Sequence, residues 1–257
     1  MKVSKQVFSA VCICVLIISV NSNYSAKAAT DSNSQKTANA AADNKKEWQD
    51  TFEVDKKNLV NVGENKYFVL IPGYCLHYKD GDDTLTITVL DETKLVDGVE
   101  TRIIEERETS KGLLAEISRN YYAIDKTNNA VYYFGETVDM YKNGKVTGHE
   151  GGWESGKEGG KFGLMMPAQP RVGDKYYQEI APDIAMDRAE IVSVTETVTV
   201  PAGTFENCVN TKDGSALEKG SGTKQYAPGI GLIRDDGFVL VKADRPEKND
   251  TKKENTK

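Results

Sequence analysis

Histidine is nearly missing from this chain: His77 and His149 are the only two among 257 residues. Neither belongs to an H-E-x-x-H pattern, and no two cysteines stand at metal-ligand spacing, so a zinc centre has no ligand set. The G-x-S-x-G elbow of serine hydrolases is absent, as is an EF-hand loop; 80–83 and 125–129 read as turns. No basic run interleaved with aromatics precedes the C-terminal tail. Acidic residues outnumber basic ones 39 to 33, a balance that repels a phosphate backbone and argues against nucleic-acid binding. No apolar run reaches the roughly 20 residues of a membrane-spanning helix, and no pattern long enough for a crossover helix between parallel strands is visible.

The longest uncharged apolar stretch, 7–20, follows Lys2 and Lys5 and precedes a polar run ending in Ala26-Lys27-Ala28. That order is a secretory signal, 1–28, with cleavage after Ala28. Cys12 and Cys14 lie inside the apolar core rather than at its end, where a lipidated cysteine would stand. The mature chain is expected to be exported, periplasmic or extracellular, with no transmembrane segment. Its remaining 229 residues suit one domain. Residues 29–47 offer almost nothing to a core and read as a flexible leader; 243–257 read as a disordered charged tail. The folded domain is expected over 48–242. Cys75 and Cys208 are the cysteines left after cleavage, and either a disulfide or two buried thiols accounts for them.

Within the domain the apolar period is two. It is plainest at Thr84-Leu85-Thr86-Ile87-Thr88-Val89, where hydroxyl and apolar side chains alternate as in a half-buried strand. Runs rich in Val, Ile, Thr and Tyr predict further strands at 66–71, 99–108, 113–124, 130–134, 137–141, 175–180, 190–200 and 238–241. Asp97-Gly98, Asn143-Gly144 and Asp236-Gly237 supply hairpin turns that need positive φ, and Pro201-Ala202-Gly203 breaks another strand. The fold class is therefore mainly β: a single curved antiparallel sheet, a half-barrel or partly open barrel, with a long Gly-rich loop.

That loop, 144–163, holds eight of the 22 glycines, with Trp153 expected to tuck back as its anchor. Gly151 to Lys157 matches the first seven positions of a P-loop, but Glu158 stands where magnesium needs a hydroxyl, so no nucleotide site is expected. Cys75 and His77, two apart in a strand, share a face. Adjacent tyrosines (Tyr121-Tyr122, Tyr132-Tyr133, Tyr176-Tyr177) must point to opposite faces, one ring of each pair towards the concavity. Glu154 with Glu179 is the one carboxylate pair considered for acid–base chemistry.

Several segments in order, Asn129-Ala130-Val131-Tyr132-Tyr133-Phe134-Gly135-Glu136, Glu150-Gly151-Gly152-Trp153-Glu154-Ser155-Gly156, Met165-Met166-Pro167-Ala168 and Tyr177-Gln178-Glu179, resemble a family of exported bacterial β-rich proteins of unassigned function. The run from Val200 to Cys208 with Tyr226-Ala227-Pro228-Gly229-Ile230-Gly231-Leu232-Ile233 is similar to the last strands of periplasmic half-barrel, lipoprotein-carrier-like proteins. The resemblance implies a sheet wrapped as an unclosed barrel able to hold an acyl chain, although this chain has no evident long helix to plug the concavity.

The resulting expectation is a non-enzymatic cell-envelope binding protein for an apolar or amphiphilic small molecule or lipid. Trp153, Met165, Met166, Tyr177 and Tyr226 are its apolar contacts, and Glu154 and Gln178 its polar ones. The alternatives are a structural or protein-interaction module of the envelope, and behind it a carboxylate-dependent hydrolase or a calcium-binding protein. No cofactor, metal ligand or catalytic residue is assigned.

Overall fold

The computed structural model describes residues 47–246. The signal segment 1–28, the leader up to residue 46 and the tail from 247 lie outside the described residues. The strands are β1 (Leu59–Val60), β2 (Gly63–Asn65), β3 (Phe68–Leu70), β4 (Cys75–Asp80), β5 (Asp83–Val96), β6 (Val99–Ser110), β7 (Leu113–Asp125), β8 (Val131–Lys142) and β9 (Lys145–Gly148). They continue with β10 (Trp153–Glu154), β11 (Lys161–Met166), β12 (Lys175–Tyr177), β13 (Glu179–Ile180), β14 (Asp187–Val200), β15 (Gly203–Ser215), β16 (Gly222–Ala227), β17 (Gly231–Asp235) and β18 (Phe238–Asp244). No α-helix occurs among the described residues.

All but β2 and β3 join one sheet in the order β12–β14–β15–β16–β17–β18–β4–β5–β6–β7–β8–β11–β13, with β1 added to β7 and β9 and β10 to β8. Each of these strand pairings is antiparallel. The sheet curls until its two ends face each other, as the mainly β, partly open barrel expected from the sequence. The predicted strand 175–180 is the seam. Its first half, β12, pairs with β14, its second half, β13, with β11, and between them Gln178 N donates to Asp187 O (2.8 Å).

Hairpin chemistry explains the meander. Asp97-Gly98 and Asn143-Gly144 adopt positive φ at both positions (49° and 77°; 54° and 72°), and Lys111-Gly112 does the same between β6 and β7 (52° and 77°). Such turns match the right-handed twist of the strands they join. Ladder register then assigns faces, because residues directly opposite in an antiparallel pair share one side. Cys75, Thr88, Glu105, Arg119 and Thr137 form one row across β4 to β8, and it faces outward. The rows running inward are Ile87–Glu106–Ser118–Val138 and Ile104–Asn120–Glu136–Trp153. In the strand at 84–89 the hydroxyls therefore face out, and Leu85 and Val89 are buried.

Three expectations are corrected. The run 66–71 is not one strand, because Lys66 and Tyr67 turn the chain between β2 and β3, whose Phe68 and Val69 reach into the barrel interior. This hairpin fills the place for which the sequence offered no plug helix. The loop 144–163 is not without regular structure either. β9 and β10 lie on β8, Trp153 opposite Glu136 and Glu154 opposite Gly135, and Ser155 Oγ donates to Asp97 Oδ2 (2.8 Å). Trp153 is the buried anchor foreseen, 5% exposed, but the loop is a fixed wall. Finally, β18 runs to Asp244, and Arg245 beyond it reaches Glu64 Oε2 (3.3 Å).

Cys75 and Cys208 are free thiols on strands that are not neighbours; Cys75 is half-buried and Cys208 fully buried. Ellman titration of the native mature protein is expected to find one rapidly reacting thiol, and a second only on denaturation. At the seam, a side chain on Gly163 would collide with the backbone carbonyl of Gln178. Gly163→Ala is expected to lower stability by at least about 2 kcal/mol in urea unfolding, as overpacking against rigid backbone does.

Candidate functional site

Inward-facing side chains of a closed sheet must share one volume, and here they divide it into an aromatic part and an acidic part. The aromatic part is a column. Phe68 packs on Tyr122 (5.1 Å between centroids), Tyr122 stacks on Tyr133 (4.7 Å), and Tyr133 meets Trp153 edge-on (5.5 Å). Tyr122, Tyr133 and Tyr176 are the inward members of the adjacent tyrosine pairs. Tyr132 packs on the outside against Phe52 and Phe162, and Tyr177 lies outside against Trp48. Between the column, β4 and β5 a cavity of about 60 Å³ remains, lined by apolar side chains with Glu106 and Lys224 at its polar side. At about 10–15 Å³ of such space per water it has room for several waters.

The acidic part is built from both halves of the barrel. β6 contributes Glu106 and Glu108, β7 Glu116, β8 Glu136 and β13 Glu179, and β14, β15 and β17 contribute Asp187, Asp213 and Asp235. Lys224 from β16 stands among them, 3.4 Å from Asp235 Oδ2. Asp235, Asp213, Glu106 and Asp187 all hold the Lys224 ammonium charge in place, although burial opposes it. One cation does not neutralise this set. Burial, with help from neighbouring carboxylates, lifts Glu106 and Glu108 to about 8; burial, opposed by Lys224, leaves Asp213 at about 7; and burial raises Asp187 to about 6. Glu136 and Glu179 are pushed further up, by burial first, then by Glu106 and Glu116 for Glu136 and by Asp187 and Glu136 for Glu179.

Glu136 is 1% exposed, neither of its carboxyl oxygens makes a well-formed hydrogen bond, and the Tyr133 hydroxyl close by only partly offsets the rise in its pKa. The neighbouring Tyr133 hydroxyl donates instead to Asn120 Oδ1 (2.6 Å). A buried polar group left unsatisfied is costly and rare in native folds. Glu136 also belongs to the lining of a cleft of about 380 Å³ between β8, β10 and the segment 181–184, although its carboxyl oxygens are themselves buried. Trp153 and Glu154 form one wall, Ala181 and Ile184 the other, and Lys157 and Glu158 stand at its edge. Trp153 Nε1 is likewise buried without an acceptor.

The seven residues singled out from sequence therefore separate. Trp153 and Glu154 belong to the cleft. Met165 and Tyr226 line the small interior cavity, where Gln178 Nε2 lies 3.6 Å from Met165 Sδ. Met166 is fully buried packing, and Tyr177 lies on the outer face beneath the Arg188 guanidinium. Burial pulls the Glu154 carboxyl up, but hydrogen bonds from Lys157 (2.6 Å) and Lys94 (2.5 Å) outweigh it, so its pKa lies below the ordinary value. Glu179 faces Glu136 and Asp187 rather than Glu154, so the carboxylate pair considered for acid–base work does not come together. On the outer face Cys75 Sγ lies 3.4 Å from His77 Nε2, but Asp244 Oδ2 (3.1 Å) meets the same nitrogen. A relay through the ring needs both nitrogens, and this arrangement does not supply it.

The residues missed from sequence are Glu106, Glu108, Glu136, Asp213, Asp235 and Lys224. The available signal was an acid at the parity of buried apolar neighbours, as Glu106 is with Ile104. It is faint, because Glu105 and Arg107 put charge on the other parity as well.

Neither a family model nor a curated protein matches the sequence. Among solved structures the chain is similar to a candidate lipoprotein from Parabacteroides distasonis ATCC 8503 (14% identity, TM-score 0.33, covering 71% of this chain and 100% of that one). It is also similar to a candidate exported protein with a YmcC-like fold from Bacteroides fragilis NCTC 9343 (14% identity, TM-score 0.31, covering 68% and 96%).

The raised carboxyl pKa values fix the pH dependence of stability. From about pH 4, where the unfolded chain loses these protons, up to about pH 8, the folded chain binds more protons than the unfolded one. Stability is therefore greatest at the acid end of that window and falls as pH rises through it. Glu154, with its lowered value, acts oppositely and is lost only below about pH 4. Urea unfolding is expected to show the protein less stable at pH 8.5 than at pH 5 by at least about 2 kcal/mol, given about 1.4 kcal/mol per unit of displacement per group.

Proposed function

We propose that this chain is an exported, non-enzymatic binding protein of the bacterial cell envelope, and that it takes a small amphiphilic molecule into the cleft beside Trp153. Export rests on the signal pattern of residues 1–28. The observation that carries the binding reading is the cleft itself. It has about 380 Å³ of open volume, in the range of small-molecule sites. Apolar walls of Trp153, Ala181 and Ile184 stand beside the charged groups Glu154, Lys157 and Glu158. Such a mixture of apolar wall and a few polar groups suits an amphiphile.

The alternative, a structural or interaction module, would leave this cleft empty in every preparation. Native mass spectrometry of the mature protein recovered from its own export route distinguishes the two. The expected result is a mass excess that disappears on denaturation and is absent from Ile184→Arg, in which a long cationic side chain fills the cleft from a position already 38% exposed. A bare mass, together with failure to bind a hydrophobic fluorophore in the native state, overturns the reading. A bare mass with a co-purifying envelope protein favours the alternative.

A further inference from the structure

One side chain on the inward face of β5 is less covered than its neighbours. Leu85 and Val89 are 1% and 3% exposed, while Ile87, between them on the same face, is only half-buried. Phe68, Met165, Ile230 and Leu232 are half-buried as well, and all five line the interior cavity of about 60 Å³. Native interiors leave few voids larger than a single water. At about 10–15 Å³ of such space per water, this one corresponds to about four to six heavy atoms. The fold has thus left apolar surface uncovered at one place inside the barrel.

The chemistry of the wall selects what can cover it. A buried water needs two to four polar partners, and the side chains of Phe68, Ile87 and Leu232 offer none. A charged molecule would leave water for an almost wholly apolar wall, at a large cost. The two charged residues in that wall, Glu106 and Lys224, are of opposite sign, and Lys224 is engaged by Asp235 (3.4 Å). The Tyr74 hydroxyl is used by Ile230 O (2.8 Å). An uncharged apolar group is what remains, and the Phe68 and Tyr122 rings, 5.1 Å apart between centroids, give it an aromatic side to pack on.

The same wall supplies a way in. Phe68 and Val69 belong to the β2–β3 hairpin, which forms a two-stranded sheet of its own. The hairpin is tied to the barrel by separate hydrogen bonds, from Tyr67 Oη to Asn207 O (3.0 Å), from Gly229 N to Lys66 O (2.7 Å) and from Asn65 Nδ2 to Asn129 O (2.8 Å). It can therefore shift without breaking a ladder of the main sheet.

We propose that this cavity is a second binding site, separate from the cleft, for a compact uncharged apolar molecule of about six heavy atoms, such as a single aromatic ring. The bound ring covers Ile87, Met165 and Leu232 and packs on Phe68. The inference stands independently of the cleft reading.

The test is methyl NMR of the mature protein titrated with benzene, benzylammonium and benzoate, one ring carrying no charge, a positive charge or a negative charge. Benzene is expected to give saturable shifts at the methyls of Ile87, Ile104 and Leu232 and none at Ile184, which reports on the cleft, and to raise the midpoint of thermal unfolding. The two charged probes are expected to bind these residues at least tenfold more weakly. Val69→Phe, which fills the cavity from the hairpin, is expected to abolish both effects of benzene. Val69→Ala, which enlarges it, is expected to bind p-xylene at least tenfold more tightly than the unaltered protein does, and circular dichroism checks that each variant is folded. Shifts that do not saturate, or that fall on Ile184 instead, overturn the second site while leaving the cleft reading to its own test. Equal binding of a charged probe at Ile87 overturns the ligand class. Benzene binding unchanged in Val69→Phe, or p-xylene binding unchanged in Val69→Ala, overturns the placement.

Discussion

The ion pair of Lys224 with Asp235, inside a ring of carboxylates, is the interaction around which the rest of this molecule is arranged. A curled antiparallel sheet forces alternate residues of every strand into one shared interior. Here those positions carry Glu106, Glu108, Glu116, Glu136, Glu179, Asp187 and Asp213 as well as the expected aromatics. Charges removed from water must be paired or must neutralise. Lys224 stabilises part of the set, and Glu106 and Glu108, lifted by burial to about 8, keep their protons at neutral pH. The interior is thus only partly a salt-bridge network, with several of its buried carboxyl oxygens unpartnered.

This constraint also decides where a ligand can go. The aromatic column from Phe68 to Trp153 and the β2–β3 hairpin fill the apolar half of the barrel, leaving about 60 Å³. Among the described residues a larger cleft lies at the wall where β8, β10 and the segment 181–184 leave a gap. The pairing of β10 with β8 sets Trp153 and Glu154 in that wall.

The legible features were those governed by neighbours in sequence. Alternation at 84–89 gave the correct faces because the pleat has a period of two. Asp97-Gly98 and Asn143-Gly144 marked true hairpins because positive φ at two successive positions selects such residues. The paired tyrosines divided between the faces as the pleat requires. The run 66–71 misled, because its composition suits a strand while Lys66-Tyr67 serves as a turn only in the presence of the Asn65 side chain, whose Oδ1 accepts from Tyr67 N (2.8 Å) and whose Nδ2 reaches Asn129 O and Pro167 O. The glycine-dense stretch 144–163 misled in the opposite direction. Gly135 lets the chain approach so closely that Trp153-Glu154 pairs with β8, and that gain belongs to the partner strand rather than to the loop's own composition.

What the sequence determined by itself is therefore the β class, the antiparallel meander and the inward side of most strands, because each depends on local sterics and on a two-residue period. The tertiary structure alone decided that the sheet nearly closes, that the strand at 175–180 is shared between the two ends, and that carboxylates scattered over 130 residues of sequence from Glu106 to Asp235 converge on one lysine. Closure is a property of accumulated twist and of the register of many pairs. Convergence follows from closure. No window along the chain contains either, which is why Trp153 could be singled out from sequence and Glu136, beside it in the cleft, could not.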